Sequence, residues 1–501
     1  MSKMIVCKQM IGWMPEETDM SRNLFSFFDV RRMLPASLRG QGTQIPAGRE
    51  MYKQYIGIAI PSVCEMVLIS LISMVDTVMV SSLGTDAVAA VGLVGQPRMI
   101  MLCLFFALNV GITAVVARRK GENRQAEANA ALRTAIVMIL GISAVLMAVL
   151  LPLSSALMRF AGAEEGRTLE LSTDYFRILG FALPFQALSM GICAAQRGVG
   201  NTKLTMQVNI TSNVVNVIFN YLLINGIGPF PKLGVHGAAL ATAIGMVVGF
   251  ALSLRAVFQS HNGFLHLSSH DSWKPDLDSV KALVKVASSA MVEQLAMRVG
   301  FFAYARIVAD LGTDAFAAHQ ICGQFLNLSF SCADGLGIAG TSLVGQMLGR
   351  KRRDLAHIYG TLAQRFSLTA GLLLATACVL LRAPLVSMFI KPGESQAVRD
   401  MAEMVMIVLG VLQPLQMLSV VASGALRGAG DVKYTARVML LTVTCIRPVL
   451  ALIGVYVCQH ILHRSDVALV AAWLATCCDM AVRMLLMMRR YRSEKWHHIK
   501  V

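Results

Sequence analysis

The sequence predicts an all-α membrane protein with twelve transmembrane helices, arranged as two homologous six-helix lobes related by a pseudo-two-fold along the membrane normal. Three observations predict it. The 501 residues are 55% hydrophobic and 15% charged, with mean hydropathy +0.61, whereas a soluble chain carries about 25% charge. Apolar runs of about 20 residues recur along most of the length, enough to cross roughly 30 Å of hydrocarbon. Backbone groups in that medium must be satisfied internally, so only helices or a closed barrel qualify, and these runs are far longer than barrel strands. Finally, one stretch occurs twice: Glu65 and Glu293, Gly84 and Gly312, Gln96 and Gln324, and Thr113 and Thr341 all differ by 228.

Each copy opens with a long apolar helix carrying acidic side chains and closed by Leu-Gly-Thr-Asp-Ala, at Leu83–Ala87 and Leu311–Ala315. The first half then reads as spans over 55–82, 87–117, 127–158, 170–196, 204–227 and 234–257. The second reads as 281–310, 315–346, 355–390, 396–425, 433–460 and 466–489. Further along, Arg197-Gly-Val-Gly-Asn-Thr-Lys203 matches Arg427-Gly-Ala-Gly-Asp-Val-Lys433, and Pro184-Phe-Gln186 matches Pro414-Leu-Gln416, both at offset 230. With six spans per half the copies share one membrane orientation, which is the parallel kind of repeat. The expected organisation is a cytosolic tail (1–50), an N-lobe (51–258), a cytosolic connecting segment (259–280) with a short interfacial helix, a C-lobe (281–490) and a basic cytosolic tail (491–501). A short amphipathic piece is expected around Leu24–Phe28, and Met51 is an alternative beginning.

The net charge of +16 is a membrane-topology signal and not a nucleic-acid signal. Basic residues gather after even-numbered spans, at Arg118-Arg-Lys120, Arg197 with Lys203, Arg350-Lys-Arg-Arg353, Arg427 with Lys433, and Arg489-Arg-Tyr-Arg492. The positive-inside rule then puts both termini in the cytoplasm. The eleven cysteines lie mostly inside apolar runs and show no metal-ligand spacing. Residues 1–50 lack the continuous apolar core of a signal peptide. No P-loop, HExxH or Ser/His/Asp arrangement is visible, so neither an enzyme nor a cofactor is expected.

The chemistry is carried by polar residues inside apolar helices. Asp76 lies along span 1, and a lone charged carboxylate at the bilayer centre costs about 2.5–3.5 kcal/mol on insertion scales. It is therefore protonated, paired, or facing a wet cavity. Its repeat counterpart is Tyr304, so the acid is asymmetric between lobes, as an ion site would be. Asn209, Asn213, Asn216 and Asn220 recur at spacings of 4, 3 and 4, which stacks them on one face of span 5. That stripe is interhelical glue, a polar site, or both. Glu293 and Arg298 lie five apart in span 7, so Glu293 either pairs with Arg298 or a neighbouring helix, or serves as a cation-binding carboxylate. Asp334 has Phe106 as its counterpart. Asp479 and Arg483, four apart, neutralise each other. Pro61, Pro184, Pro414 and Pro448 interrupt spans and are candidate hinges. Gly245 with Gly249 reads as close helix packing.

Together these features resemble the multidrug and toxic compound extrusion (MATE) family over about residues 51–490. The resemblance is carried by Val75-Asp-Thr-Val-Met79, Arg197-Gly-Val-Gly-Asn-Thr-Lys203, Val215-Asn-Val-Ile-Phe-Asn220, Gly234-Val-His-Gly-Ala-Ala239 with Ala241-Thr242, and Leu426-Arg-Gly-Ala-Gly-Asp431. It implies two rocking lobes that export cationic amphiphiles in exchange for H+ or Na+. By the resemblance, Asp76, Asn216, Asn220 and Thr242 form the N-lobe cation site, with Asn220 where many relatives have Asp. Met297 falls where many have a span-7 Glu, and Gln416 where some have a span-10 Asp. Glu293, Gln186, Gln416 and Tyr304 remain candidates for the substrate cavity or a C-lobe site, and Pro61, Pro184 and Pro414 for hinges. The expected function is a monomeric antiporter of small organic cations in the plasma membrane. The alternative is a flippase for a lipid-linked or polyisoprenoid precursor, which would want a basic cavity; Arg298, Arg306 and Arg447 keep it open.

Overall fold

The computed structural model describes residues 29–35, 38, 45–81, 83–259, 263–268, 272–389, 396–462 and 467–499. Twelve long helices carry the fold among them: α1 (Gly48–Ser81), α2 (Thr85–Gly121), α3 (Gln125–Leu150), α4 (Arg167–Gly198), α5 (Thr202–Asn225), α6 (Val235–Phe258), α7 (Leu277–Ala309), α8 (Thr313–Gly349), α9 (Arg353–Leu380), α10 (Gln396–Gly428), α11 (Val432–Ile461) and α12 (Ala468–Arg492). Nine are long and apolar enough to cross a membrane on composition alone. The other three, α5, α7 and α8, carry the asparagine stripe, Glu293 with Arg298, and Asp334. Polar groups at membrane depth need protein or water partners.

Local chemistry sets the helix ends. Gly84 and Gly312 precede α2 and α8 at φ 100° and 104°, a backbone that side-chain-bearing residues rarely adopt, so the doubled Leu-Gly-Thr-Asp is a doubled turn. Asp86 and Asp314 follow in the first helical turns, where negative charge suits the helix dipole. Spans 3 and 9 end earlier than the sequence predicts: each breaks and resumes as a short turn, Ser154–Phe160 and Arg382–Ser387. Pro152 and Pro384 lie at these breaks and lack the amide hydrogen a continuing helix would use. In α11 the stretch Leu440–Ile446 is π-helical just ahead of Pro448, a widening that absorbs the missing bond.

Packing repeats between the halves. In the first half α1 lies on α5, α2 on α4, and α6 on both α4 and α5; in the second α7 lies on α11, α8 on α10, and α12 on both α10 and α11. The principal contacts between halves are α1 with α8 and α7 with α2, a pair that exchanging the halves maps onto itself. A second contact of the seam, α8 with α2, lies on the axis of that exchange.

The expected interfacial helix between the lobes is absent among the described residues of the connecting segment, which run irregularly through 263–268. Leu265 and Leu267 are buried in the N-lobe core instead, and Leu267 N donates to Val257 O at 3.2 Å. Asp276 caps α7, accepting from Ser279 N and Oγ at 3.0 and 2.6 Å, and these bonds hold its carboxyl below the usual range. At the chain ends, Val30, Met33, Leu34 and Leu38 bury against Tyr55, Ile358, Tyr491 and Trp496, so part of the leader docks on the C-lobe. The expected amphipathic piece at Leu24–Phe28 lies outside the described residues.

The lobes touch closely at the ends bearing the basic loops. An added Cβ at Gly121 would stand 2.0 Å from Gln346 O, one at Gly349 2.3 Å from Arg118 O, and one at Gly335 2.5 Å from Val63 Cα. Tyr55 Oη to Leu336 O (3.2 Å) and Gln346 Nε2 to Gly198 O (2.9 Å) add hydrogen bonds across the seam. Gly121→Ala should therefore force this end apart. Spin labels placed after α2 and α8 should read a longer, broader distance distribution than in the parent protein.

The docked C-terminal turn gives a pH dependence. Trp496 Nε1 donates to Tyr491 O at 2.7 Å and Tyr491 Oη to His357 O at 2.6 Å, which buries His497 beside them. Burial, aided by His357, Arg353 and His498, pushes the His497 imidazole down to about 4. An undocked His titrates near ~6.5, so the undocked state binds more protons between these values. Docking is full above about pH 6.5 and weakens as pH falls toward 4. Protection factors over residues 495–499, measured relative to the intrinsic exchange rate at each pH, should fall from pH 7.5 to 5, and His497→Gln should flatten that change.

Candidate ion-binding site in the N-lobe

Helices α1 and α5 run parallel with a constant register. Thr202 Oγ1 donates to Ile58 O at 3.0 Å, Asn209 Nδ2 to Glu65 Oε1 at 2.6 Å, and Asn220 Nδ2 to Asp76 Oδ1 at 2.9 Å, every pair 144 residues apart. The spacing of 11 between Glu65 and Asp76 is three helical turns, matched by the same spacing from Asn209 to Asn220. One stripe of amides thus meets two acids.

Helix α6 closes the site. At Gly245 an added Cβ would meet Ser212 O at 2.9 Å and Asn216 Cβ at 3.0 Å, and at Gly249 it would meet Ser212 Oγ at 3.1 Å. The glycine pair lets α5 approach until Asn216 reaches Thr242. In the amide orientation that satisfies both groups, Asn216 Nδ2 donates to the two Asp76 oxygens at 3.0 and 3.0 Å, and its Oδ1 accepts from Thr242 N and Oγ1 at 3.1 and 3.2 Å. Asp76, Asn216, Asn220 and Thr242 therefore form one hydrogen-bonded cluster. Asp76 is half-buried, and Asn220 Oδ1 is a buried acceptor with no donor. The cluster offers carboxylate, amide and hydroxyl oxygens, which suits a proton or a small hard cation.

The other candidates separate. Gln186 accepts from Arg98 Nη2 at 3.4 Å, and that guanidinium is in electrostatic contact with Asp76. Glu293, a candidate cavity carboxylate, is 1% exposed. Arg427 donates to its Oε1 and Thr435 Oγ1 to its Oε2, the latter at 3.1 Å. Its partner is thus a neighbouring helix and not Arg298, because i and i+5 diverge on a helix; Arg298 turns to Met99 Sδ across the lobe seam at 3.8 Å. Gln416 and Tyr304 are buried within the C-lobe. Pro61, Pro184 and Pro414 lie inside unbroken helices.

Glu293 has a twin. Glu65 accepts from Arg197 Nη1 at 3.1 Å, Thr205 Oγ1 at 2.8 Å and Asn209. Arg197 and Thr205 are the repeat counterparts of Arg427 and Thr435. At the level of Asp76 the lobes differ. Tyr304 lies under the Arg447 guanidinium, 5.8 Å from its ring centre. Arg447 Nε donates to Asp479 at 2.9 Å and Arg483 Nη2 to the same carboxylate at 2.7 and 2.8 Å.

A family model described as MatE matches residues 61–222 and 289–453. The two matches start 228 residues apart, the offset of the internal repeat. The chain belongs to the MatE family. Among curated relatives it is 26% identical over 460 residues to "Probable multidrug resistance protein NorM" of Thermotoga maritima, covering 89% of this chain and 93% of that one. It is 27% identical over 384 residues to "Multidrug resistance protein NorM" of Vibrio cholerae, covering 75% and 81%. Among solved structures, "Outward-facing conformation of a multidrug resistance MATE family transporter of the MOP superfamily" superposes with TM-score 0.81 at 21% identity, covering 89% and 97%. A MOP superfamily transporter from Pyrococcus furiosus does so with TM-score 0.81 at 20%, covering 88% and 95%. Membership in this family makes the chain a multi-pass membrane transporter.

Arg98 escaped the sequence reading. It lies in an apolar stretch of span 2 beside Pro97, and weighing lone buried cations as heavily as lone acids would have found it. The Glu65–Arg197 pair was legible only as two separate halves of a repeat. Arg197→Met leaves Glu65, fully buried, without its counter-ion, and breaking such a pair costs about 3–5 kcal/mol. The single variant should melt well below the parent in detergent. Adding Glu65→Gln should recover most of the loss.

Proposed function

We propose that the chain is a secondary-active exporter of cationic amphiphilic small molecules, driven by exchange for H+, or Na+, at the Asp76 cluster. The observation that carries the reading is the Asp76 carboxylate: half-buried, hydrogen-bonded by two amides of α5, and beside an acceptor that lacks a donor. When Asp76 takes a proton, its O–H can donate to an amide oxygen such as Asn220 Oδ1, while it gives up the charge that orders the amide hydrogens. The contacts that fix α1 against α5 and α6 then change, which is the differential interaction a conformational bias requires. Na+ would instead draw on the same oxygens as ligands.

Alternating access fits the packing. The lobes close at the basic-loop ends; with those loops and both termini in the cytoplasm, as proposed, the closed ends are the cytoplasmic ones. Inward movement of one charge supplies about 2.3 kcal/mol per 100 mV. The plasma membrane and a monomer are the setting proposed, and Pro61, Pro184 and Pro414 the proposed hinges. The basic cavity a flippase would want loses two of its cations: Arg447 is buried on Asp479 and Arg306 pairs with Asp310 at 3.2 Å.

In liposomes with an imposed H+ or Na+ gradient, the purified protein should move ethidium against its concentration gradient, and Asp76→Asn should reduce ion-driven movement at least about ten-fold. Unchanged transport in Asp76→Asn would remove the cluster from the coupling mechanism. Ethidium movement insensitive to both gradients would overturn antiport itself.

A further inference from the structure

Helix α8 lines the N-lobe-facing side of the C-lobe, against α1 and α2. Gln324, Asn327 and Asp334 are exposed and Ser331 half-exposed along it. Their spacings of 3, 4 and 3 put them on one helix face. A membrane helix does not turn such a face to lipid, so it borders the space between the lobes. The stripe ends at the seam: Gly335, next to Asp334, is where the α8 backbone crosses Val63 of α1.

Asp334 differs from the other acids of the bundle. Asp76 is held by asparagine amides, Glu65 and Glu293 by an arginine and a threonine each, and Asp479 by two arginines. Among the described residues no group donates a hydrogen bond to Asp334, which is only in electrostatic contact with Arg427 and Glu293. Arg427 therefore faces two acids and is already bonded to one, and the Nε of Arg427 is left without an acceptor. In the N-lobe Arg197 faces Glu65, and Phe106 stands where Asp334 would be. The surplus negative charge belongs to the C-lobe and opens on the inter-lobe space.

We propose that Asp334 is the carboxylate through which the C-lobe contacts the positive charge of the exported organic cation. The proposal rests on the exporter reading above and divides the labour between two acids. The oxygens of Asp76 are occupied by amides packed among three helices, which admits a proton or a bare ion. The oxygens of Asp334 are free and reachable by a bulky cation whose apolar body lies along α8. The position beside the α1–α8 crossing puts the bound charge at the contact that must separate when the lobes rock.

The test is equilibrium binding of ethidium to the purified full-length protein, by fluorescence anisotropy, together with efflux kinetics in liposomes. Losing a charged partner is worth about 1.5–3 kcal/mol, so Asp334→Asn should raise the ethidium Kd and the KM about 10- to 100-fold with kcat and ion dependence little changed. Asp334→Glu should restore most of the affinity. A second measurement needs no variant: a hydrophilic carbodiimide with glycine ethyl ester should label Asp334 in the wild-type protein, read by mass spectrometry, and ethidium should protect it. Wild-type affinity in Asp334→Asn, or labelling that ethidium leaves unchanged, would overturn the assignment while leaving the exporter reading intact. A wild-type protein that neither binds nor moves ethidium would overturn the exporter reading and this proposal with it.

Discussion

The hydrogen bonds between α1 carboxylates and α5 side chains are the constraint on which the N-lobe depends. A carboxylate inside a membrane bundle must be paired, hydrated or protonated, and α1 carries two. Parallel packing in a fixed register meets both with one amide stripe. The register in turn requires α5 to lie close to α6, and Gly245 and Gly249 permit that approach. Glu65, with an arginine to itself, is a fixed strut. Asp76, hydrogen-bonded by amides only, is the acid proposed to take a proton or cation. The difference between strut and site is a guanidinium bonded directly to the carboxylate: Arg197 donates to Glu65, whereas Arg98 donates to Gln186 and acts on Asp76 only through space.

The C-lobe repeats the strut and replaces the site. Glu293, Arg427 and Thr435 reproduce Glu65, Arg197 and Thr205. At the level of Asp76, however, the protein supplies its own cation: Arg447, over the rings of Phe301 and Tyr304 and bonded to Asp479. Two buried arginines sharing one carboxylate leave a net positive charge, which gives an external cation nothing to balance. Duplication therefore built the scaffold, and divergence at a few buried positions made the lobes chemically unequal.

Much of this was legible in the sequence because helix periodicity and repeat offsets are local or one-dimensional signals. The twelve long helices among the described residues, nine of them apolar enough to cross a membrane on composition alone, the asparagine face and the packing role of Gly245 and Gly249 all follow from spacing alone. The convergence of Asp76, Asn216, Asn220 and Thr242 was reached through family resemblance, and spacing alone would not have joined three helices. What spacing misses is which polar group on one helix meets which on another. Glu293 could not be assigned to Arg427 without knowing that α7 faces α10, and Arg98 was overlooked because a lone arginine among apolar residues was not weighed as a lone acid was. Among the described residues of the connecting segment the expected interfacial helix does not form, for a different reason: Leu265 and Leu267 follow a period of two and pin 263–268 to the N-lobe core.

The placement of strong and weak contacts bears on how such a molecule moves. Buried ion pairs lie within lobes: Arg197 with Glu65, Arg427 with Glu293, and Arg447 and Arg483 with Asp479. Breaking any of them would strand a charge in a medium that cannot solvate it, a cost of several kcal/mol. Among the described residues the seam between lobes has no ion pair of this kind: it is made from glycine crossings, apolar packing, neutral hydrogen bonds such as those of Tyr55 and Gln346, and the contact of Arg298 with Met99. A neutral hydrogen bond exchanged for one to water changes the free energy by only about 0.5–1.5 kcal/mol, and water enters the seam as it opens. The lobes are thus stiff where charge is buried and separable where it is not, which is the mechanical condition the proposed coupling at Asp76 needs: a rotation between rigid bodies costs less than unfolding of either.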